Sequence, residues 1–514
     1  MSAIVTFFYR ISFISLCFFH ALLQSAPTQF VQLDRLPAID PDYAGVTVPP
    51  NIAPMNFIIQ ESGSKFTVVI AAERGKAIHL NSRSPKIRIP NRAWKKLLAN
   101  NAGSPLAVTI YAKENGRWLK YQPITNRIAR EPINSHLVYR LIKPLYVYWN
   151  RIGIYQRDLT SFFEKPILLN KNTGDNCINC HAFSDRRPDR MLLHTRAGAA
   201  GTAMLLALDG EVRKIDTATE FNRAVAYRAW HPSGKAIAFS SNTVNQFFHA
   251  VGENRDVYDK ASDLLIYTVS DHRISGAPQI AREDKMETYP EWSPDGKYLY
   301  FCRTDGLEKY DSSEHPFRKI KYDLMRIACD PENGTWGEVE PVLIASAFGK
   351  SVTHPKVSPD GRYILLCLSE YGNFSIYRPD ADLCLYDLQT GELRAADALN
   401  SDRSESYHSW DSSGRWVVFS SKREDGLCAR PFFSYFDESG QFAKPFILPQ
   451  KDPAVYSRLL KTFNVPEFVN GRVKISGRTL LKAAWGKPQK AKLDPALGEK
   501  THETADEMWK PVPR

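Results

Sequence analysis

Short apolar stretches that alternate with polar positions recur over most of the chain, and turn residues separate them. In the clearest stretch, residues 292–301, a strand leads into a Ser-Pro-Asp-Gly turn and an alternating strand returns from it. Proline fixes φ and glycine accepts positive φ in such turns, so the pattern predicts a β-hairpin. The same frame aligns without gaps in four places, residues 227–239, 289–301, 354–366 and 407–419.

The spacing of this frame predicts the kind of repeat. The turn glycines Gly234, Gly296, Gly361 and Gly414 are 62, 65 and 53 residues apart, and a third apolar strand follows each hairpin, most clearly at residues 263–269 and 382–388. That length suits a four-stranded propeller blade with long loops and is too long for hexapeptide or leucine-rich solenoids. Each copy is therefore predicted to be one blade.

The frame resembles the TolB-type β-propeller over about residues 180–440. The resemblance implies an all-β fold with six blades. Five blades are legible in the sequence: the four copies and a degenerate one at residues 188–194, followed by a strand at residues 202–208. The sixth blade has to come from the segment after Phe446, from residues 140–170, or from both.

The rest of the chain does not follow the repeat. Residues 48–134 hold short alternating runs that predict a small β domain, with a sandwich as one arrangement. Residues 135–181 predict an aromatic-rich connector, residues 182–481 the propeller and its closing segment, and residues 482–514 a loosely ordered charged tail.

The first 26 residues predict a signal peptide. Residues 11–23 are almost wholly apolar, which matches a signal-peptide core and is shorter than the roughly 20 residues of a spanning helix. An uncleaved anchor is the alternative, because the cleavage site is poor. Cys17 is a candidate for lipid attachment, but Leu16 stands where such a signal wants a small residue. Periplasmic or otherwise exported localisation is expected, with no membrane span after this segment.

Composition narrows the class of partner. With 43% apolar and 24% charged residues the chain is an ordinary globular mix, and a net charge of +11 is scattered along it. A scattered charge argues against a nucleic-acid partner. The expected partner is a redox protein or an envelope protein at the propeller mouth, and the sequence leaves the oligomeric state open.

The motif with the clearest chemistry is Cys177-Ile-Asn-Cys180-His181, the attachment signature of c-type haem. The two cysteines form thioethers with the porphyrin, and the adjacent histidine is placed to ligate the iron. One covalent haem c is therefore expected. Zinc would need a second ligand pair at similar spacing, a thioredoxin-like pair would need a βαβ unit, and a plain disulfide is the remaining alternative. The five single cysteines in the propeller are expected to be small buried side chains.

The second axial ligand is not given by the motif. Aligning Pro188 with Pro294 places His194 where other blades have Phe239, Phe301 and Phe419, so His194 is the expected ligand beside His181. Met191, His408 or a five-coordinate iron are alternatives, and His354 is expected to line the channel. Arg196, two residues after His194, is the expected partner of a haem propionate.

Together these features resemble a family of exported TolB-like proteins that carry a single haem-attachment motif before the first blade. The resemblance implies a monohaem c-type protein in electron transfer or with a haem-dependent accessory or sensor role. A protein-binding scaffold with a secondary haem and an oxidoreductase that uses the propeller channel are the alternatives. The sequence shows no second cofactor motif and no nucleophile-base pair.

Overall fold

The computed structural model describes residues 26–143, 151–223, 225–247, 256–307 and 316–497. Nearly all of the predicted signal segment, with Cys17, and residues 498–514 of the predicted tail therefore lie outside the described residues. Within the described residues no helix is long and apolar enough to cross a membrane.

The N-terminal part of the chain forms a seven-stranded and a three-stranded sheet with one helix. Strand pairing begins at Val31, earlier than the predicted boundary at residue 48. The helix buries Trp94, Leu97 and Leu98 in the same core as both sheets. The elements are β1 (Val31–Gln32), β2 (Ile39–Asp40), β3 (Thr47–Val48), β4 (Phe57–Ile59), β5 (Lys65–Ala72), β6 (Ile78–Ser82), β7 (Lys86–Ile87), α1 (Asn91–Ala99), β8 (Pro105–Glu114), β9 (Arg117–Lys120) and β10 (Ile124–Ile128).

Six further sheets follow, each with four antiparallel strands, and they make the chain an all-β propeller of six blades. The strands of the first three blades are β11 (His136–Ile142), β12 (Gly153–Asp158), β13 (Glu164–Leu169), β14 (Cys177–Phe183), β15 (Arg190–Arg196), β16 (Ala203–Leu208), β17 (Glu211–Asp216), β18 (Arg228–Trp230), β19 (Ala236–Phe247), β20 (Asp256–Thr268) and β21 (Arg273–Ser275). The remaining strands are β22 (Lys285–Trp292), β23 (Tyr298–Asp305), β24 (Asp323–Asp330), β25 (Thr335–Leu343), β26 (Ser351–Val357), β27 (Tyr363–Ser369), β28 (Asp382–Asp387), β29 (Leu393–Ala395), β30 (Glu405–Trp410), β31 (Trp416–Ser421), β32 (Arg430–Tyr435), β33 (Phe446–Ile447) and β34 (Thr462–Val469).

Both candidate segments together supply the blade that closes the ring. We call it blade 1: β34 is its inner strand and pairs with β11, and β12 and β13 complete it. Blades 2 to 6 begin with β14, β18, β22, β26 and β30. The prediction of a connector over residues 135–181 is thus wrong. This range contains the paired strands β11, β12 and β13, whose alternating side chains pack in the propeller. The ring of Tyr139, for example, packs 4.9 Å from that of Phe463 in β34.

The tail is also more ordered than predicted. The end of α2 (Gly477–Ala484) falls within it, as do β35 (Gln489–Lys490) and β36 (Lys492–Leu493). β35 pairs with the outer strand of blade 2 and β36 with that of blade 3, both parallel. These pairings cover two sheet edges that would otherwise present unpaired backbone groups. The expectation of a loose tail is therefore wrong for residues 482–497.

The repeat frame itself is confirmed at its turns. Gly234, Gly296, Gly361 and Gly414 have φ between 67° and 75°, the left-handed region that the frame requires of them. In the turn before Gly296, Asp295 Oδ1 accepts the backbone N–H of Lys297 at 3.1 Å, so side chain and backbone close the hairpin together.

Candidate functional site: the inner strand of blade 2 and the central channel

In five of the six blades, the inner strand has a bulge at the central channel. In blade 4, Thr288 pairs with Cys302 and Glu291 with Tyr300, so two residues of the inner strand oppose one residue of the next. The same two-against-one bulge occurs in blades 1, 2, 5 and 6. The first bulge residue has positive φ at Tyr289 (51°), His354 (52°), Tyr407 (46°) and Val465 (51°). Non-glycine residues avoid this region, so the bulges are strained features, which are typical of functional sites.

The haem-attachment motif coincides with this bulge in blade 2. Asn179 pairs with His194 and Ala182 with Leu192, which leaves Cys180 and His181 as the two bulge residues of β14. Cys180 therefore holds the register position of Tyr289, His354 and Tyr407, and His181 that of His408. The motif thus lies at the strand position from which blades 1, 4, 5 and 6 line the channel.

The ring of His181 is fully buried between blades 2 and 1. Its Nε2 lies 3.8 Å from Oε2 of Glu467 in β34, and neither ring nitrogen makes a hydrogen bond of ordinary geometry with a described residue. Burial lowers the pKa of His181 well below its usual value, the charges of Arg228 and Arg140 lower it further, and the nearby backbone of Val138 and Val465 acts in the opposite direction. The imidazole is therefore neutral at pH 7, which is the form that ligates a metal.

Glu467 lines the channel beside His181. Burial raises the pKa of this carboxyl group to about 7, while the charge of Arg228 and the backbone N–H of Phe183 act against the rise. The Phe183 N–H donates to Oε1 of Glu467 at 2.9 Å, so the carboxyl group links the inner strands of blades 1 and 2. At neutral pH it carries only part of a negative charge.

The structure does not bring His194 and His181 together. The sequence alignment of His194 with Phe301 and Phe419 is shifted by one residue, because Leu193 is the residue opposite the blade 2 bulge. A shift of one residue moves a side chain to the other face of a sheet. The His194 ring accordingly packs against Phe239 of blade 3 at 5.8 Å, whereas His181 faces blade 1.

The other sequence candidates lie in different surroundings. Met191 is fully buried in the apolar core of blade 2, away from the channel lining. His408 lines the channel, and its Nε2 lies 2.7 Å from the carbonyl oxygen of Leu365. Arg196 also lines the channel, and its Nη2 donates to the carbonyl oxygen of Val225 at 2.6 Å. His354 lines the channel, as expected.

The channel is a cavity of about 970 Å³ at the centre of the ring. Aromatic rings from successive blades follow one another along its wall: Tyr227 lies 4.1 Å from Tyr289, Tyr289 lies 4.1 Å from His354, and His354 lies 4.7 Å from Tyr407. Arginines complete the lining near blade 2, among them Arg140 and Arg228, which sequence reasoning missed. The one signal for Arg228 was its place directly after Tyr227 in the repeat frame, the place that His181 takes in blade 2.

The residues around the channel are of the types that would suit a haem. The cavity is at the upper end of the roughly 300–1,000 Å³ that cofactor sites occupy, and it combines aromatic walls with cationic groups. Asn179, Ala182 and Phe183 of the motif strand line it. His181 lies 3.8 Å from the lining residue Glu467, and its ring nitrogens make no hydrogen bond of ordinary geometry to the residues that the structure describes. No cluster of three or more His, Cys, Asp or Glu side chains suited to a bare metal ion occurs in the described part of the chain.

No protein-family model matches the sequence, and no curated protein is similar to it. Among solved structures, the propeller domain of the trilobed protease of Pyrococcus furiosus is 14% identical, with 67% of this chain and 90% of that chain covered and a TM-score of 0.32. An oligogalacturonate lyase from Vibrio parahaemolyticus is 9% identical over 59% of this chain and 92% of that chain, with a TM-score of 0.31. A chain of a nidogen/laminin complex is 9% identical over 65% and 98%, with a TM-score of 0.37. At these values the likeness carries nothing about activity, and the propeller fold rests on the sheet topology of this chain.

Proposed function

We propose that this chain is an exported monohaem c-type protein whose propeller holds one haem c, attached through Cys177 and Cys180 with His181 as an axial ligand. Its role is electron transfer, or that of a haem-dependent accessory or sensor subunit. The observation that carries the proposal is the coincidence of the attachment motif with the channel-facing bulge of blade 2. A redox partner or an envelope protein is expected at the channel mouth.

The chain's own residues have separable tasks in this proposal. The bound haem supplies a one-electron redox couple, whose potential depends on axial ligands and on burial. His181, kept neutral by burial, offers a lone pair to the iron. The aromatic wall of Tyr227, Tyr289 and Tyr407 limits the access of water to the channel. Limited solvation of a redox centre is one of the protein's means of tuning its potential.

For the second axial position we propose His354 in place of His194. In a ring of six blades, blade 5 is opposite blade 2. His354 lines the cavity from blade 5, so it is across the channel from the motif strand. Its Nδ1 lies 3.4 Å from Oγ of Ser375, and its Nε2 has no hydrogen-bond partner among the described residues. Burial lowers the pKa of His354 well below its usual value, so this imidazole is also neutral.

The proposal is tested by maturing the chain in a host that attaches haem to CxxCH motifs. Intact-mass measurement is expected to show one added haem, and a pyridine haemochrome spectrum is expected to show the band of a thioether-linked haem. The double variant Cys177→Ala/Cys180→Ala is expected to lose the covalent haem. Cys302→Ala, which removes a buried cysteine of blade 4, is the matched control and is expected to keep it.

A bare polypeptide mass in the competent host, or a disulfide between Cys177 and Cys180, would overturn the haem assignment. That outcome would favour a binding scaffold in which the channel mouth docks another protein.

A further inference from the structure

Two arginines of the channel differ from its other cations. Among the described residues, no hydrogen bond or ion pair is made by the guanidinium of Arg140 in β11 or by that of Arg228 in β18. The neighbouring cations are engaged: Arg186 Nε donates to the carbonyl oxygen of Trp410 at 3.1 Å, Arg196 donates to Val225, and Lys356 pairs with Glu291 at 2.5 Å. Arg140 and Arg228 are both only partly exposed, and both line the cavity.

The guanidinium groups of Arg140 and Arg228 also belong to the two blades that flank the motif strand. Arg140 belongs to blade 1 and Arg228 to blade 3, the two neighbours of blade 2, and both side chains line the same cavity as the motif strand. Glu467 also lines this cavity, but its Oε1 accepts the backbone N–H of Phe183, and within the described residues it forms no ion pair with either arginine. Partly buried charges without partners cost folding free energy, and chains keep them where a ligand supplies the missing charge.

We infer that Arg140 and Arg228 form a carboxylate-binding site in the channel, next to His181. The planar fork of a guanidinium group matches a carboxylate with two parallel hydrogen bonds, which favours this anion class over halides. The carboxylates have two sources of the same chemistry: the two propionates of the covalently attached haem, or a small dicarboxylate that enters the channel from solution. The Arg140/Arg228 site does not depend on the thioether bonds, so it can be tested in the full chain isolated without haem.

The first experiment uses the full chain isolated without haem, and protoporphyrin IX as the probe. Fluorescence titration is expected to show protoporphyrin binding at least about ten-fold tighter than that of its dimethyl ester, which lacks both carboxylates; ten-fold is about 1.4 kcal/mol. Arg140→Gln/Arg228→Gln is expected to remove this preference. Arg362→Gln is the matched control, because it removes an arginine that pairs with Asp387 outside the channel. Equal binding of acid and ester by the wild type, or an unchanged preference in the double variant, would overturn the inference.

Protein folding is checked in the same preparations. Because the two guanidinium groups lack partners, the double variant is expected to keep or raise the melting temperature of the haem-free chain. A clear fall would show that the arginines serve the fold, and would count against the site. Arg140→Lys/Arg228→Lys keeps the charge and removes the fork, and an intermediate loss of the preference is expected from it.

A second experiment separates the two sources with succinate, measured by calorimetry on haem-free and haem-loaded chain. If the haem propionates occupy the site, succinate is expected to bind only the haem-free chain, and to lose binding in the double variant. Binding of succinate to both forms assigns the site to a free dicarboxylate. If the chain does not acquire haem, the proposed function is contradicted, but arginine-dependent binding of the probes can still be observed. Failure of the proposed function and failure of this inference are therefore distinguishable. No arginine-dependent binding of either probe would overturn the inference.

Discussion

At the scale of single residues, the chemistry of blade 2 depends on which side of one sheet a side chain occupies. His181 and His194 are close in sequence and on paired strands, yet the first faces blade 1 and the second faces blade 3. The bulge causes this, because it adds one residue to β14 and so changes which residue of β15 lies opposite. A side chain's distance along the sequence therefore says little about its distance from His181.

The proposed second axial ligand is tested by two histidine variants of haem-loaded chain. His354→Ala is expected to open the sixth position, to convert the haem from low-spin to high-spin, and to raise cyanide affinity by about ten-fold or more, ~1.4 kcal/mol. His194→Ala is the matched control, a buried histidine on the other face of blade 2, and it is expected to leave the spin state unchanged. Absorption spectra and cyanide titration measure both. Conversion by His194→Ala alone would contradict the assignment of His354.

At the scale of elements, the hairpin turns carry the repeat. Gly296 and Gly361 occupy the same turn position with the same φ of 75°. They differ in surroundings: a Cβ at Gly296 would meet Nε2 of His231 at 2.5 Å, whereas one at Gly361 would have its nearest neighbour, Cδ of Pro294, at 3.8 Å. His231 also lies 3.1 Å from the carbonyl oxygen of Gly296, so this turn holds two blades together.

Valine substitution at these two glycines separates backbone strain from collision. Gly361→Val is expected to cost about 1–3 kcal/mol of unfolding free energy, because a β-branched residue is forced to positive φ. Gly296→Val is expected to cost more, since the collision with His231 adds to the same strain. Denaturant midpoints of the two variants and wild type measure this. A Gly296→Val midpoint equal to that of wild type would show that the turn tolerates any residue, and equal costs would show that His231 moves aside freely.

Local patterns predicted the elements better than they predicted the site. Turn chemistry and alternation are short-range signals, and they predicted the hairpins of blades 2 to 6. The number six came from the family resemblance, and the closing segments were left as alternatives. The bulges depend on pairing between strands and leave no mark in the local pattern, so the alignment that used Pro188 placed His194 one residue out of register. Arg140 and Glu467 reach the site only because residues 136–142 and 462–469 meet in blade 1, a pairing across more than half of the chain.

At the scale of the whole molecule, stability depends on one strand from the C-terminal part of the chain. β34 is the inner strand of blade 1, and it buries Phe463, Phe468 and Val469. Such side chains contribute about 1.5–3 kcal/mol each when fully buried. The total is comparable with the ~5–15 kcal/mol that stabilises a typical folded domain.

Two truncations test this closure. Deletion of residues 462–514 removes β34 and is expected to abolish the cooperative thermal transition, because blades 1 and 6 are then no longer joined through it. Deletion of residues 498–514 keeps β34, β35 and β36, and is expected to leave the melting temperature within a few degrees of the full chain. Circular dichroism melts and size-exclusion chromatography measure both. A cooperative melt at the wild-type temperature after the longer deletion would show that the ring holds without its closing strand.

The bulge of the inner strands also determines which of their side chains reach the channel. Because two residues there face a single partner, the first of them is released from the alternation that fixes every other inner-strand residue to a blade interface. The propeller thus repeats one backbone geometry around its axis and presents a different side chain from blade to blade at the same place. In blades 1, 4, 5 and 6 this position is occupied by Val465, Tyr289, His354 and Tyr407, four side chains that all line the channel.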